Sequence, residues 1–215
     1  MSLELILGPM FAGKTSALQA ILRRHRALGI QCIAYKPKLD NRQGTDDYMY
    51  THDGDKVSAC ITAELLYHRD SMEFINAKLI IIEEGQFFPD LYQFVIEAVE
   101  IDKKDVVVAG LDGDRFRKPF GEILQLIPIA DRLTKLTSLC KLCADGTPAL
   151  FSYSSTTSTD TVHVGGIESY MPLCRKHYIE STRIAEGLCP KCQVDLTGST
   201  YRPLCFSCTH DQDCC

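Results

Sequence analysis

One segment near the start of the chain has the residue types and spacing needed to bind phosphate. Residues 8–15, GPMFAGKT, fit the pattern G-x-x-x-x-G-K-[ST]. In such a loop the backbone N–H groups surround a phosphate, the following helix adds a favourable dipole, and the Lys and Thr side chains serve phosphate and Mg²⁺. The residues concerned are Gly8, Pro9, Met10, Phe11, Ala12, Gly13, Lys14 and Thr15. This pattern predicts a protein that binds a nucleoside triphosphate together with Mg²⁺.

Two adjacent acids, Glu83 and Glu84, follow the apolar run 79–82. Ligands of open α/β sheets bind at the carboxyl ends of strands, and neighbouring strand residues point to opposite faces. The two carboxylates are therefore expected to have different roles, one serving Mg²⁺ and one accepting a proton from an acceptor hydroxyl. The next aromatic residues, Phe87 and Phe88, either line a pocket for a flat ring or belong to the core.

Eleven Cys residues need an explanation other than disulfides, because no export signal is visible and the cytosol keeps thiols reduced. Pairs with a two-residue spacing give two sets of four tetrahedral zinc ligands. The sets are Cys140, Cys143, Cys174 and His177, and Cys189, Cys192, Cys205 and Cys208. Since protein ligands fill every position, we expect two structural zinc ions that contribute to folding.

The composition excludes several classes of protein. With 215 residues, 45% of them hydrophobic and 24% charged, the chain allows one mid-sized globular domain and a small appendage. No apolar run approaches the roughly 18 residues of a membrane span, so we expect a cytoplasmic protein without a membrane partner. The net charge of −5 argues against a broad nucleic-acid surface.

The elements that must position these residues alternate in type along the first half. Apolar runs predict strands at 3–7, 31–35, 79–82 and 106–111, and helical spacing predicts helices at 14–28, 90–99 and 122–130. Residues 37–56 are polar and are predicted to form a loop. This order indicates an α/β fold, a P-loop parallel sheet with helices on both faces.

The character of the chain changes after residue 135, which indicates three units. They are a P-loop domain at 1–135, a zinc-containing unit at 136–186 and a C-terminal extension with the second ligand set at 187–215. The Ser/Thr-rich stretch 152–161 lies between the halves of the first ligand set. A loop that leaves and re-enters a zinc knuckle is therefore favoured over a disordered linker.

Motifs in order along residues 3–182 resemble those of the type II, zinc-containing thymidine kinases. They are the loop 8–15 with Met10 and Phe11, Asp40-x-Arg42, THD at 51–53, EEGQFF at 83–88, LDG at 111–113, KPFG at 118–121, the first zinc pairs, GG at 165–166 and Tyr170 before Cys174. The resemblance implies a RecA-like sheet with a zinc-ribbon lasso domain. It also implies phosphoryl transfer from ATP to the 5′-hydroxyl of thymidine, giving dTMP and ADP.

The resemblance also implies roles for individual residues on the ATP side. Glu84 falls on the catalytic base, and Glu83 on the Mg²⁺ side, where the family commonly has Asp. The residues assigned to ATP, phosphate and Mg²⁺ are loop 8–15 with Asp40, Arg42, Glu83, Gly85 and Gln86.

On the thymidine side, the resemblance implies a lasso-like loop that binds the base through backbone groups. The assigned residues are Met10, Phe87, Leu111, Arg115, Phe120, Thr161, Val162, His163, Val164, Gly165 and Tyr170. Arg115 stands where the family usually carries a ring-stacking Phe, and Phe116 follows one place later. Either the backbone shifts by one residue, or the Arg115 guanidinium packs on the base.

The family further implies a homotetramer and feedback inhibition by dTTP. Two other functions remain open on the residues alone. One is a P-loop ATPase that acts on nucleic acid and grips it with the zinc ribbon, although basic and aromatic strand-binding surface is lacking. The other is a zinc-ribbon adaptor that binds ATP without catalysis, which would leave Glu84 without a purpose. For the C-terminal ribbon, a structural or protein-docking role is favoured over nucleic-acid binding.

Overall fold

The computed structural model describes residues 1–38, 47–50, 55–154, 170–189, 191–193, 195 and 197. Its strands are β1 (Ser2–Leu7), β2 (Cys32–Pro37), β3 (Tyr48–Tyr50), β4 (Lys56–Ser58), β5 (Cys60–Thr62), β6 (Leu79–Ile82), β7 (Asp105–Gly110), β8 (Arg132–Lys135), β9 (Ser138–Leu139), β10 (Pro148–Ala149), β11 (Phe151–Ser154) and β12 (Tyr170–Leu173). The helices are α1 (Lys14–Ala27), α2 (Met72–Asn76), α3 (Leu91–Ile96) and α4 (Arg175–Ala185). Shorter turns of 3₁₀ helix lie at Leu66–His68, Gly85–Phe87 and Ile123–Ile129, and a π turn lies at Glu97–Ile101.

Six strands form the central sheet in the order β5-β2-β6-β7-β1-β8, and every neighbouring pair is parallel. The middle strand β6 is buried along its whole length. Parallel strands are joined by crossovers, so such a sheet needs cover on both faces. The predicted parallel sheet is confirmed.

Alternation along the strands divides the core into two layers. Leu5 and Ile80 face the layer that contains α2, α3 and the turn Ile123–Ile129, whereas Ile6 and Ile81 face the layer that contains α1. Each such fully buried side chain contributes roughly 1.5–3 kcal/mol through removal of apolar surface from water. Helices on both faces are thereby confirmed, and the carboxyl ends of β1, β6 and β7 meet at one edge.

Gly13 marks the start of α1 and allows the sharp change from loop to helix. Its φ of 80° lies in the left-handed region, which costs glycine little because it has no Cβ. The apolar face of α1 then buries Leu18 and Leu22 against the sheet. The helix therefore presents its N-terminus at the carboxyl end of β1.

A second, smaller unit follows β8. Strand β9 pairs with β10, and β11 pairs with β12, both antiparallel, and α4 packs beside the second pair. Its core contains Ala149, Leu173 and Tyr178 together with two of the predicted metal ligands, Cys140 and Cys174. No helix in the described part of the chain is long and apolar enough to cross a bilayer.

Two predicted elements differ from the structure. The predicted helix at 122–130 is a 3₁₀ turn over Ile123–Ile129, which contains Pro128, a residue without a backbone N–H to donate. The predicted loop at 37–56 contains β3, which pairs with β4. Three residues are too few for a recognisable alternation, yet Met49 at the centre of β3 is fully buried.

Candidate functional site

The phosphate-loop lysine lies folded against its own loop. Lys14 Nζ donates hydrogen bonds to the carbonyl oxygens of Gly8 (3.0 Å) and Pro9 (2.8 Å), and its side chain is buried. A buried ammonium is retained only when its donors are satisfied. These carbonyls hold Lys14 at the mouth of the loop, where an arriving phosphate would replace them.

The loop hydroxyl and the first strand-end acid are in direct contact. Thr15 Oγ1 donates to Glu83 Oε1 at 2.6 Å, across 68 positions of sequence, and Glu83 is 6% exposed. A hydroxyl and a carboxylate oxygen are hard donors of the kind that Mg²⁺ prefers, and Mg²⁺ in such sites uses few protein ligands. These residues fit the ion that the phosphate-loop pattern predicts.

The second acid has different surroundings. Glu84 has φ 50° and ψ 46°, a left-handed conformation uncommon for residues other than glycine. Its Oε2 accepts a hydrogen bond from Gln86 Nε2 at 2.6 Å. The two carboxylates therefore have different hydrogen-bond partners, Thr15 for Glu83 and Gln86 for Glu84.

Gln86 connects the ends of two strands. Besides its bond to Glu84, its Oε1 accepts the backbone N–H of Leu111 at 2.9 Å, just beyond β7. The side chain is 3% exposed, and a Cβ at Gly110 would lie 2.3 Å from Gln86 Oε1. Only glycine at position 110 leaves room for this amide, so the position of the Glu84 carboxylate depends on a closely packed neighbour.

The two aromatic residues after the acids have separate locations. Phe88 is buried in the core beneath α3. The ring of Phe87 meets that of Phe120 edge to face, with centroids 5.3 Å apart, and both residues are half-buried. Phe87 therefore lies beside Phe120, which is also predicted to contact the nucleoside, whereas Phe88 belongs to the core.

A tight hairpin at 113–119 carries Arg115 and Phe116. Gly113 and Pro119 pair as an isolated bridge, and Asp114 Oδ1 accepts the N–H groups of Phe116 and Lys118 at 2.8 Å each. The Arg115 guanidinium lies 4.7 Å from the centre of the Phe116 ring. Arg115 and Phe116, where the sequence departs from the family pattern, therefore stack on each other within one hairpin.

The first predicted ligand set forms a compact cluster. Sγ of Cys140, Sγ of Cys143, Sγ of Cys174 and a ring nitrogen of His177 all lie within 4.8 Å of one another. The Cys143–Cys174 sulfur separation is 3.8 Å, and His177 Nδ1 lies 3.3 to 3.5 Å from the sulfurs. Ordinary zinc bond lengths give tetrahedral edges of about 3.8 Å and 3.6 Å, so the residues fit a zinc ion.

Electrostatics at this cluster favour a cation. Burial opposes ionisation of Cys140, but hydrogen bonds from the backbone N–H groups of Cys174 and Cys143 lower the pKa of its thiol to about 6. Burial, with the neighbouring Cys140, raises the pKa of the Cys143 thiol to about 11. A coordinated dication would ionise the thiols that ligate it.

Comparison with known proteins settles the family. A family model described as thymidine kinase matches residues 1–178. The chain belongs to the thymidine kinase family. A thymidine kinase of Oryza sativa subsp. japonica is 42% identical over 86% of this chain and 69% of its own length. Thymidine kinase a of Arabidopsis thaliana is 38% identical over 83% and 75%, and a Variola virus thymidine kinase is 41% identical over 83% and 97%.

In this thymidine kinase, the described residues of the predicted site lie at the carboxyl edge of the sheet, on the hairpin 113–119 and in the smaller unit that carries the Cys/His cluster. Met10 and Leu111 are buried there, each 9% exposed, and Tyr170 begins β12. Several predicted residues lie outside the described residues. They are Asp40, Arg42, Thr161, Val162, His163, Val164, Gly165, Cys205 and Cys208. Of the second ligand set, Cys189 is buried and Cys192 is half-buried.

One contact at the phosphate loop could not be predicted from the sequence. Ser152 Oγ accepts the backbone N–H of Met10 at 2.9 Å, and Ser152 is 7% exposed. Ser152 opens the Ser/Thr-rich stretch and is predicted there as loop, but in the structure it belongs to β11. This bond joins the phosphate loop to the smaller unit that carries the Cys/His cluster, and a cleft of about 280 Å³ lies between them, bordered also by Asp112 and Arg117.

Proposed function

We propose that the protein transfers the γ-phosphoryl group of ATP to the 5′-hydroxyl of thymidine, giving dTMP and ADP. The observation that carries this proposal is the 2.6 Å hydrogen bond between Thr15 and Glu83 in a chain of the thymidine kinase family. It joins the phosphate loop to the strand end that carries Glu84, so triphosphate binding and a general base belong to one site. Relatives named thymidine kinase support thymidine as the acceptor.

The phosphate loop binds the triphosphate in this proposal. Backbone N–H groups of the loop 8–15 would surround the phosphates at the N-terminus of α1, where the helix dipole favours negative charge. Pro9 has no N–H to contribute, and the N–H of Met10 is already accepted by Ser152 Oγ. Lys14 exchanges the carbonyl oxygens of Gly8 and Pro9 for phosphate oxygens. Because Lys14 is already buried at the loop, little reorganisation is needed before transfer.

Thr15 and Glu83 are the residues that would hold Mg²⁺ with the triphosphate. When bound, the ion supplies positive charge that offsets the charge developing on the transferred group. Their mutual hydrogen bond keeps both oxygens in the same place before the ion arrives. We assign Asp40 and Arg42 to the same phosphate region on the strength of the family resemblance.

Glu84 acts as the general base. Its carboxylate accepts the proton of the thymidine 5′-hydroxyl as that oxygen bonds to the γ-phosphorus. The bond from phosphorus to the bridging oxygen of ADP breaks, and ADP leaves with that electron pair. Gln86 orients Glu84 through its amide N–H, which donates to Oε2 of the carboxylate.

Thymidine is proposed to lie between the sheet edge and the smaller unit β9–α4, which carries the Cys/His cluster and is called the zinc-binding unit below. Met10, Leu111, Phe87 and Phe120 supply apolar walls, and Arg115 supplies a planar guanidinium. The backbone of 161–165 recognises the base edge, and Tyr170 anchors that loop. The buried positions of Met10 and Leu111 and the Phe87–Phe120 contact support this arrangement.

Two zinc ions are proposed to have structural roles. The first is held by Cys140, Cys143, Cys174 and His177 and the second by Cys189, Cys192, Cys205 and Cys208. The geometry of the first set supports a closed tetrahedral site with no open position for a reacting water. We also propose a cytoplasmic homotetramer that dTTP inhibits, since these properties accompany the family resemblance.

The alternative functions have less support. A P-loop ATPase that moves along nucleic acid needs a basic surface with aromatic side chains, and the net charge is −5 with no Trp. A non-catalytic ATP-binding adaptor has no use for Glu84 held by Gln86. We therefore expect no direct nucleic-acid partner.

The test is transfer of label from γ-labelled ATP. The purified protein with Mg²⁺ is expected to form labelled dTMP from thymidine, and single-stranded DNA is expected not to stimulate ATP hydrolysis. A matched reaction with 5′-deoxythymidine, which lacks the acceptor hydroxyl, is expected to yield no labelled nucleotide. Hydrolysis stimulated by DNA without formation of dTMP would overturn the proposal in favour of the ATPase.

A further inference from the structure

We propose that Tyr178 is a positioning residue through which the zinc-binding unit fixes the hairpin wall of the nucleoside site. This inference rests on the proposed function, because the hairpin matters only if Arg115 and Phe120 contact the acceptor. Tyr178 Oη donates a hydrogen bond to the carbonyl oxygen of Arg115 at 2.5 Å, across 63 positions of sequence. The bond runs from α4 of the zinc-binding unit to the tip of the hairpin 113–119.

Tyr178 is itself held firmly relative to the metal ligands. It directly follows His177, and its backbone N–H donates to the carbonyl oxygen of Cys174 at 2.9 Å. The residue is 4% exposed, and its ring packs against Phe151 and Tyr153 with centroids 5.1 Å and 6.0 Å away. The hydroxyl therefore projects from a closely packed part of the protein, which a zinc ion at the neighbouring cluster would hold together.

A second contact joins the same two parts. The guanidinium of Arg117 lies 4.7 Å from the centre of the Tyr178 ring and 5.7 Å from that of Phe151. Both separations lie within the range of cation–π attraction. Arg117 has φ 64°, a conformation that a residue other than glycine keeps only when its surroundings hold it. The hairpin tip is therefore attached to Tyr178 of α4 in two ways, by the hydrogen bond to the Arg115 carbonyl and by the Arg117 guanidinium over the Tyr178 ring.

The hairpin has separate attachments at its tip and its base. At the base, Gln86 accepts the N–H of Leu111, and the ring of Phe120 meets Phe87. Within the hairpin, Asp114 accepts two N–H groups and keeps its shape. Loss of the tip contact would therefore leave the fold intact but loosen Arg115 relative to Phe87.

This division predicts an effect on one substrate only. The hydrogen bonds of Lys14 Nζ to Gly8 and Pro9 lie within the phosphate loop, and that of Thr15 joins the loop to Glu83. Loss of the Tyr178 hydroxyl should therefore weaken binding of the nucleoside and leave that of ATP unchanged. A role in folding alone would lower stability and zinc content without separating the two substrates.

The experiment compares Tyr178→Phe with Tyr153→Phe in the zinc-loaded full chain. Tyr153 is a matched control because its hydroxyl bonds Ser181 within the same unit at 3.3 Å and its ring meets Tyr178. Tyr178→Phe is expected to raise the thymidine KM by about two- to ten-fold, the usual weight of one hydrogen bond, with the ATP KM and zinc content unchanged. Tyr153→Phe is expected to match the wild type.

Hydrogen exchange gives a readout that does not need activity. Amides of 112–119 are expected to exchange faster in Tyr178→Phe than in the wild type or in Tyr153→Phe. Equal exchange and equal thymidine KM in all three proteins would overturn the inference, as would a parallel rise of both KM values with loss of zinc. If the wild type itself fails to phosphorylate thymidine, the proposed function fails, and the exchange rates alone then decide whether Tyr178 fixes the hairpin.

Discussion

The amide of Gln86 allows a direct test of Glu84 as the general base. Its Nε2 donates to Glu84 Oε2 at 2.6 Å, while its Oε1 accepts from the N–H of Leu111. The substitution Gln86→Glu keeps the size and the bond from Leu111 but replaces the donor with a second carboxylate oxygen. Two ionised carboxylates at this separation repel each other, so the pair should retain a shared proton well above the pH at which a single acid ionises.

The magnitude follows from the separation of the two atoms. Unit charges 2.6 Å apart repel by about 1.6 kcal/mol at the dielectric constant of water and about 6 kcal/mol at an effective value of 20. At 1.36 kcal/mol for each pH unit, the shift is at least about one unit and at most about five. A general base acts when ionised, so activity lost on acidification should be lost at a correspondingly higher pH.

The assay is the pH profile of kcat/KM for thymidine with ATP saturating. Its acid limb is expected to move upward by at least about one pH unit in Gln86→Glu, with activity recovering as the pH rises. Gln93→Glu is the matched control, because Gln93 donates to Glu97 at 2.9 Å on the exposed side of α3, where the charges can separate in water. An unmoved acid limb in folded Gln86→Glu would refute the assignment of Glu84.

Other substitutions test the remaining assignments. Glu84→Gln is expected to lower kcat by about 10²- to 10⁴-fold with ATP affinity retained, as measured by label transfer and nucleotide titration. Lys14→Ala should instead weaken ATP binding and rate together, since Lys14 contacts phosphate before and during transfer. Elemental analysis should find two zinc ions in the full chain and one in a chain that ends at residue 186, and the shorter chain should still phosphorylate thymidine. Loss of transfer in that zinc-loaded shorter chain would place the extension in the catalytic unit. Cys174→Ser should raise the thymidine KM far more than Val162→Ala, because it releases one end of the lasso; the opposite order would mean that side chains read the base.

The residues on the sheet edge could be predicted because their positions follow from topology. A phosphate loop ends one parallel strand and the acids end another, and carboxyl ends of parallel strands share an edge. Thr15 and Glu83 accordingly meet although 68 positions separate them. The cluster of Cys140, Cys143, Cys174 and His177 could be predicted for a similar reason, since a two-residue spacing is what a metal knuckle requires.

The sequence was a poorer guide to whether a helical segment is an α-helix or a 3₁₀ helix. Apolar spacing in residues 122–130 is compatible with an α-helix, but the structure has a 3₁₀ turn over Ile123–Ile129. Ile123 and Leu126, three positions apart, are both fully buried, and a 3₁₀ turn aligns residues at that spacing on one face. Pro128 disfavours an α-helix because its ring would clash with the carbonyl four residues earlier.

Several contacts that shape the site end on backbone atoms, which explains why they could not be predicted from residue types. Ser152 accepts from the N–H of Met10, Gln86 accepts from that of Leu111, and Tyr178 donates to a main-chain carbonyl. Nearly every residue has an N–H and a carbonyl, so no residue type marks the partner. A side chain that meets another side chain leaves two matching residues in the sequence, as Thr15 and Glu83 do. A side chain that bonds to the backbone is visible in the sequence only as a single polar residue. Only the fold identifies which strand, loop or hairpin that side chain holds in place.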